Sequence, residues 1–165
     1  MRERISALSQ SHDLLVDAEW RGASIGDLIK AQLKAFAAQD RLSLAGPVIT
    51  LRPNAVQYLG IAFHELATNS PKHGALSGHG GRVEIEWGTA PATDGTDTLS
   101  LIWRELGGPN LSGTTRRGFG SVVLQRVAPQ ALSGTGQLEF GEQGVVWTLK
   151  APLRSVQISL ADFVD

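Results

Sequence analysis

The stretch from Asn54 to about His73 restricts the possible architectures more than any other part of the chain. Its apolar residues Val56, Leu59, Phe63, Leu66 and Ala67 recur every three or four positions, which predicts a long helix with one buried stripe. Pro53 stands just ahead of it, where helices commonly begin. Such a helix is about 30 Å long and needs an extended apolar surface to lie on. The residues after it supply one. Arg82–Gly88 and Thr98–Glu105 alternate with period two, with Val83, Ile85 and Trp87 on one apolar face and Leu99, Leu101 and Trp103 on the other. Each predicts a strand with a single apolar side.

The remaining elements fit around this pair. Ile5, Leu8, His12 and Leu15 predict a first helix over Arg4–Val16, whose apolar stripe has no partner in sight and reads as an interface. Ser24 followed by Asp27 reads as a helix N-cap, opening a second helix over Ile25–Ala38. Arg41–Ala45 and Val48–Leu51 read as a hairpin around Gly46-Pro47. Phe119–Gln130 reads as a helix that Pro129 ends or kinks. Gln137–Phe140 and Val145–Ala151 form another hairpin, turning at Gly141–Gly144. Strand pairs grouped between helices predict an α+β protein, a two-layer sandwich with helices on one face of a mixed sheet.

Composition narrows the function classes. A chain of 165 residues with 42% hydrophobic and 19% charged residues fits one globular domain with a real core. No Cys is present, which excludes disulfides, thiolate metal sites and a cysteine nucleophile. A net charge of -1 argues against a nucleic-acid partner, and the lack of a long apolar run argues against membrane contact by this segment. A cytoplasmic location is the expectation.

Three groups of residues carry candidate chemistry. On the long helix Glu65, Asn69, Lys72 and His73 are spaced by three or four and share one side. An Asn amide oxygen is a hard ligand suited to Mg²⁺, an ion that borrows phosphate oxygens; Lys72 or His73 would neutralise those phosphates, and Glu65 would orient a water or act as a base. Alone, the stripe reads more readily as an ordinary solvated face. Trp103-Arg104-Glu105-Leu106-Gly107-Gly108-Pro109 ends a strand with a carboxylate that can accept from an adenine amine, and with glycines that let a base lie close. Gly118-Phe119-Gly120-Ser121 opens a helix, whose free N–H groups and partial positive charge suit phosphate oxygens. The earlier cluster Gly78, Gly80 and Gly81 reads as surface loop.

Taken in order, these residues resemble the HWE class of bacterial sensor histidine kinases. His64-Glu65-Leu66-Ala67-Thr68-Asn69 with Lys72-His73-Gly74 is similar to that family's N box, and Trp103-Arg104-Glu105 to its Trp-x-Glu motif. Gly107-Gly108-Pro109 and Gly118–Ser121 resemble its glycine boxes, and Arg4–Leu15 the segment after its phospho-accepting helix. The resemblance implies the Bergerat ATP-binding sandwich, with ATP and Mg²⁺ bound. It makes Asn69 the metal ligand, places Lys72 and His73 near the phosphates, and puts Glu65 where related ATPases have their base. Glu105 would read the adenine amine, Gly107 and Gly108 would border the base, and Gly118, Phe119, Gly120 and Ser121 would close the nucleotide lid. For His64, packing and chemistry both remain open. Pro71 departs from the pattern and is expected to distort the last helical turn.

None of His12, His64, His73 and His79 stands in a phospho-acceptor context. The resemblance therefore implies residues 1–17 as the second helix of a dimerisation and phosphotransfer hairpin, 18–155 as the catalytic domain, and 156–165 as a tail. The expected activity is transfer of the γ-phosphate of ATP to a histidine on a helical domain outside this chain, with a response regulator downstream; whether the parent is a dimer is left open. An anti-sigma serine kinase of the same fold, an ATPase using Glu65, and a non-catalytic docking module are the alternatives.

Overall fold

A computed structural model describes residues 23–36, 39–114 and 119–159. The helix expected over 4–16, and with it the segment 1–17, lies outside them, as do Gly118 and residues 160–165. Helix α1 spans Ile25–Leu33, capped by Ser24, whose Oγ accepts from the Asp27 N–H at 3.1 Å. It buries Ile25, Leu28, Ile29 and Leu33 on one face and stops short of the expected Ala38. A 3-10 turn at Gln39–Arg41 leads into strand β1, Leu42–Ala45. Helix α2 spans Pro53–His73. Strands β2 (Arg82–Ala90) and β3 (Thr98–Leu106) follow. The next helical rod, α3, is α-helical over Phe119–Val122, π-helical over Val123–Val127 and α-helical over Ala128–Ala131. Strands β4 (Thr135–Gly141) and β5 (Gly144–Pro152) and a short helix α4 (Leu153–Val156) complete the described chain.

The strands form one mixed sheet in the order β1-β2-β3-β5-β4. Only β1 and β2 run parallel; the other three pairings are antiparallel. Alternation turns Val83, Ile85, Leu99, Leu101, Trp103, Trp147 and Leu149 into the core, where α1 and α2 cover them. The register sets Ile85 beside Trp103, Trp103 beside Trp147, and Trp147 beside Leu138, one continuous row under α2. Phe63 of α2 meets Trp147 edge-on at 6.2 Å. The other sheet face is polar, with Glu84 reaching Arg82 at 3.5 Å and Arg104 at 3.8 Å. The two-layer α+β sandwich with helices on one face is therefore as expected.

One local expectation is corrected. Arg41–Ala45 and Val48–Leu51 do not pair with each other. β1 instead lies parallel to β2, and Thr50 and Leu51 make isolated bridges to Ser24 and Gln157. The hairpin fails because Gly46-Pro47 is taken up elsewhere: the Trp87 indole donates to the Pro47 carbonyl at 2.7 Å and lies over Gly46, where a Cβ would be 2.4 Å from the ring. Pro129, expected to end or kink the helix, stands within the rod just after its π segment. In the π segment the Ala128 N–H bonds to Val123 O, five residues back. By that offset Leu124 O would need a donor from residue 129, and proline has none. The Trp147 indole N–H supplies it at 2.8 Å. Gly136 makes the space, since a Cβ there would lie 2.5 Å from Leu124 O.

Trp147→Phe is accordingly expected to leave a buried carbonyl without a donor and to lower stability by about 1–3 kcal/mol. Urea unfolding followed by circular dichroism measures this, and an unchanged midpoint would count against the account of α3.

Candidate nucleotide-binding site

The C-terminal half of α2, the first turns of α3 and the β3, β4 and β5 ends enclose a cavity of about 170 Å³. From α2 come Glu65, Leu66, Asn69 and His73; four-residue steps keep the polar three in line along one side. From α3 come Gly120, Ser121 and Leu124. Glu105, Leu138, Phe140 and Val145 form the sheet side, and Leu111 and Thr114 come from the segment after β3. One end is thus polar and formed by two helices, while the sheet side is largely apolar.

At the polar end the two helices approach closely. A Cβ on Gly120 would lie 2.8 Å from Glu65 Oε2 and 3.6 Å from Asn69 Nδ2. Only glycine lets the first turn of α3, the end that carries the helix's partial positive charge, come this near to those side chains. The Asn69 side chain is exposed, so its amide oxygen is available to a hydrated cation. Among the described residues no group of three or more His, Cys, Asp or Glu converges to hold a metal. An amide ligand completed by waters and phosphate oxygens fits this donor set.

Glu105 stands at the cavity wall and is only 3% exposed. Its Oε1 accepts from the Ala75 N–H at 2.9 Å and the Val145 N–H at 3.3 Å, and its Oε2 from the Trp103 indole N–H at 3.2 Å. One carboxylate thus ties together the end of α2, strand β3 and the start of β5. Two glycines allow it, because a Cβ on Gly74 would lie 2.1 Å from Oε1 and one on Gly144 would lie 2.7 Å from the Glu105 Cβ.

The segment after α2 is held from outside by Arg41. Its Nε donates to Gly81 O at 2.8 Å, and one terminal nitrogen donates to Ala75 O at 3.3 Å and also to Gly78 O. Gly81 is no loose loop residue, since a Cβ there would lie 1.8 Å from Ala75 O. The surface-loop reading of this glycine cluster therefore holds for Gly78 and Gly80, which have open space around them, and not for Gly81. Gly107 and Gly108 belong to the same packed region and are not among the cavity-lining residues. Gly107 has φ +72° and donates to Gln143 Oε1 at 3.1 Å; Gly108 donates to Gln143 O at 2.9 Å, and a Cβ on it would lie 2.6 Å from Ala75 Cα.

The expected residues thus divide. Glu65, Asn69, His73, Glu105, Gly120 and Ser121 come together at the cavity. Lys72 is exposed on the flank of α2 and does not line it. Gly118 and the Phe119 side chain lie outside the described residues. His64 turns away from the cavity; it is 5% exposed and meets Phe36 edge-on at 6.3 Å, a packing contact. Pro71 does not end α2, which continues through His73, and the Gly74 N–H still bonds to Ser70 O at 2.9 Å. Placed in the last turn, the proline removes one ladder bond and leaves the rest.

Several site residues escaped the sequence reading. Leu138 and Phe140 alternate on one face of β4, a legible signal for a shared apolar surface, but nothing in the sequence says which cavity they face. Arg41 and Gln143 act across long separations and leave no local pattern.

Known proteins share this fold and, over part of the chain, its sequence. Residues 1–48 match the family model described as HWE histidine kinase. Blue-light-activated histidine kinases of Brucella ovis and Brucella abortus are 34% identical over 153 residues, 92% of this chain. The chain spans 31% of the length of these relatives. Among solved structures, the histidine kinase domain of the Erythrobacter litoralis EL346 blue-light-activated kinase superposes with a TM-score of 0.59 at 15% identity, covering 93% of this chain and 79% of that one. The catalytic domain of the histidine kinase ThkA gives a TM-score of 0.51 at 15% identity, covering 79% and 94%. Among the described residues no helix is long and apolar enough to cross a membrane. The chain is thus similar to the HWE histidine kinases and carries the fold of a histidine kinase catalytic domain.

Proposed function

We propose that this domain binds ATP with Mg²⁺ and transfers the γ-phosphate to a histidine on a helical domain of the same kinase. The observation that carries the reading is the approach of Gly120, at the start of α3, to Glu65 and Asn69 of α2 across one cavity whose far wall holds Glu105. Phosphates at the helix end and a base on the sheet side would fit that polarity.

Asn69 would hold the Mg²⁺ ion, whose contribution when bound is to neutralise charge on the transferring phosphoryl group. The Gly120 and Ser121 end of α3 would orient the phosphate tail, and His73 would add positive charge in its protonated form. Leu138, Phe140 and Val145 would exclude water from the base. In the transfer, the bond from the γ-phosphorus to the bridging oxygen breaks as a phosphorus–nitrogen bond forms to the acceptor imidazole. ADP leaves, and Glu65 is the candidate to take up the imidazole proton. ATP as the phosphoryl source fits a cytoplasmic domain acting upstream of a response regulator.

The test combines the chain with γ-labelled ATP, Mg²⁺ and a separately made helical hairpin bearing the acceptor histidine. An acid-labile, base-stable label on the hairpin is expected. An acid-stable phosphoserine, or phosphate release with no labelled acceptor, would replace this reading with a serine kinase or an ATPase.

A further inference from the structure

The Trp-x-Glu motif is a single hydrogen-bonded unit. Trp103 and Glu105 are two apart on β3 and so share a face. Trp103 is fully buried, set beside Ile85 on β2 and Trp147 on β5, and its indole N–H points to Glu105 Oε2 at 3.2 Å. A carboxylate has about four acceptor positions, two on each oxygen. In Glu105 both positions on Oε1 are taken, by the Ala75 and Val145 N–H groups, and one on Oε2 is taken by Trp103.

We propose that Trp103 is the positioning residue of the base subsite: with Oε1 filled by Ala75 and Val145, its indole N–H leaves Glu105 one acceptor position, on Oε2, and fixes the direction of that position toward a base that offers a single amine donor. The proposal rests on the nucleotide reading above and adds the source of its selectivity. Adenine presents one exocyclic amine beside a ring acceptor. Guanine presents adjacent ring N–H and amine donors, which pair best with both oxygens of a carboxylate. That bidentate mode is closed when Oε1 is already filled. Without the indole N–H, Oε2 loses its fixed direction and its preference for the single donor.

Calorimetry on the full chain tests this with the Mg²⁺ complexes of ATP, GTP and a purine ribonucleoside triphosphate lacking the 6-amino group. Trp103→Phe is expected to weaken ATP binding by about tenfold, the scale of one hydrogen bond to a charged group, while GTP binding changes far less. The ATP-to-GTP ratio would then fall by about the same factor. Equal losses for both nucleotides would make Trp103 a packing residue only and overturn the proposal. Should the variant not fold, the indole N–H resonance of Trp103 in the unmodified protein decides. ATP is expected to shift it and the amine-free analogue to leave it in place; identical responses overturn the proposal. Failure of the unmodified chain to bind ATP at all is a separate result, which removes the nucleotide reading and this inference with it.

Discussion

Asn69→Ala is expected to abolish the Mg²⁺-dependent part of nucleotide binding, weakening ATP affinity by roughly a hundredfold or more in calorimetry with and without the ion. Loss of groups that merely support a metal ligand already costs about 10–100-fold, and this substitution removes the ligand itself. The side chain is exposed on α2, so the change leaves the core untouched and the folded state intact. Transfer to an added acceptor hairpin should fall at least as far as binding. Affinity and transfer equal to those of the unmodified chain would remove Asn69 from the metal site. A loss of ATP binding that is the same with and without Mg²⁺ would reassign it to direct phosphate contact.

Glu105→Ala is the second large effect, and its first consequence is on stability. The substitution removes the acceptor of three N–H groups, those of Ala75, Val145 and the Trp103 indole. A buried donor left without a partner costs about 1–3 kcal/mol. Water entering the vacated space would satisfy some of the three, so a net loss of about 3 kcal/mol is expected, read as a lower urea midpoint. Because the carboxylate links α2, β3 and β5, the same variant should lose ATP binding even where it remains folded. A midpoint within experimental error of the unmodified protein would show that Glu105 does not act as a brace. Glu105→Ala and Trp103→Phe give different signatures: the first lowers stability and all nucleotide binding, the second chiefly the distinction between nucleotides.

Much of the architecture was legible from periodicity. The α2 stripe, the β2 and β3 alternation and the β4–β5 hairpin are local patterns, set by which residues face a core, and they survive folding unchanged. The stretch from Glu65 to His73 was readable for the same reason, since helical geometry alone aligns Glu65, Asn69 and His73. What periodicity could not place was pairing between distant segments. β1 has four residues, and its parallel neighbour β2 begins on the far side of α2. Gly46-Pro47 looked like a hairpin turn until Trp87, distant in sequence, covered it.

The roles of individual residues divide along the same line. By itself the sequence determined the layered α+β fold, the residues of the α2 stripe and the resemblance to HWE kinases, because these depend on spacing along one element. Only the tertiary structure decided that Lys72 stands beside the cavity and His73 in it, and that His64 packs on Phe36. It also decided that Gly107 packs on Gly80 and Gly108 on Ala75, both held by Gln143, and that Glu105 is engaged by three protein donors. The physical reason is that hydrogen-bond partners and close approaches are set by pairwise distances between remote segments. A one-dimensional pattern specifies which face a side chain takes, and the fold specifies what it meets there.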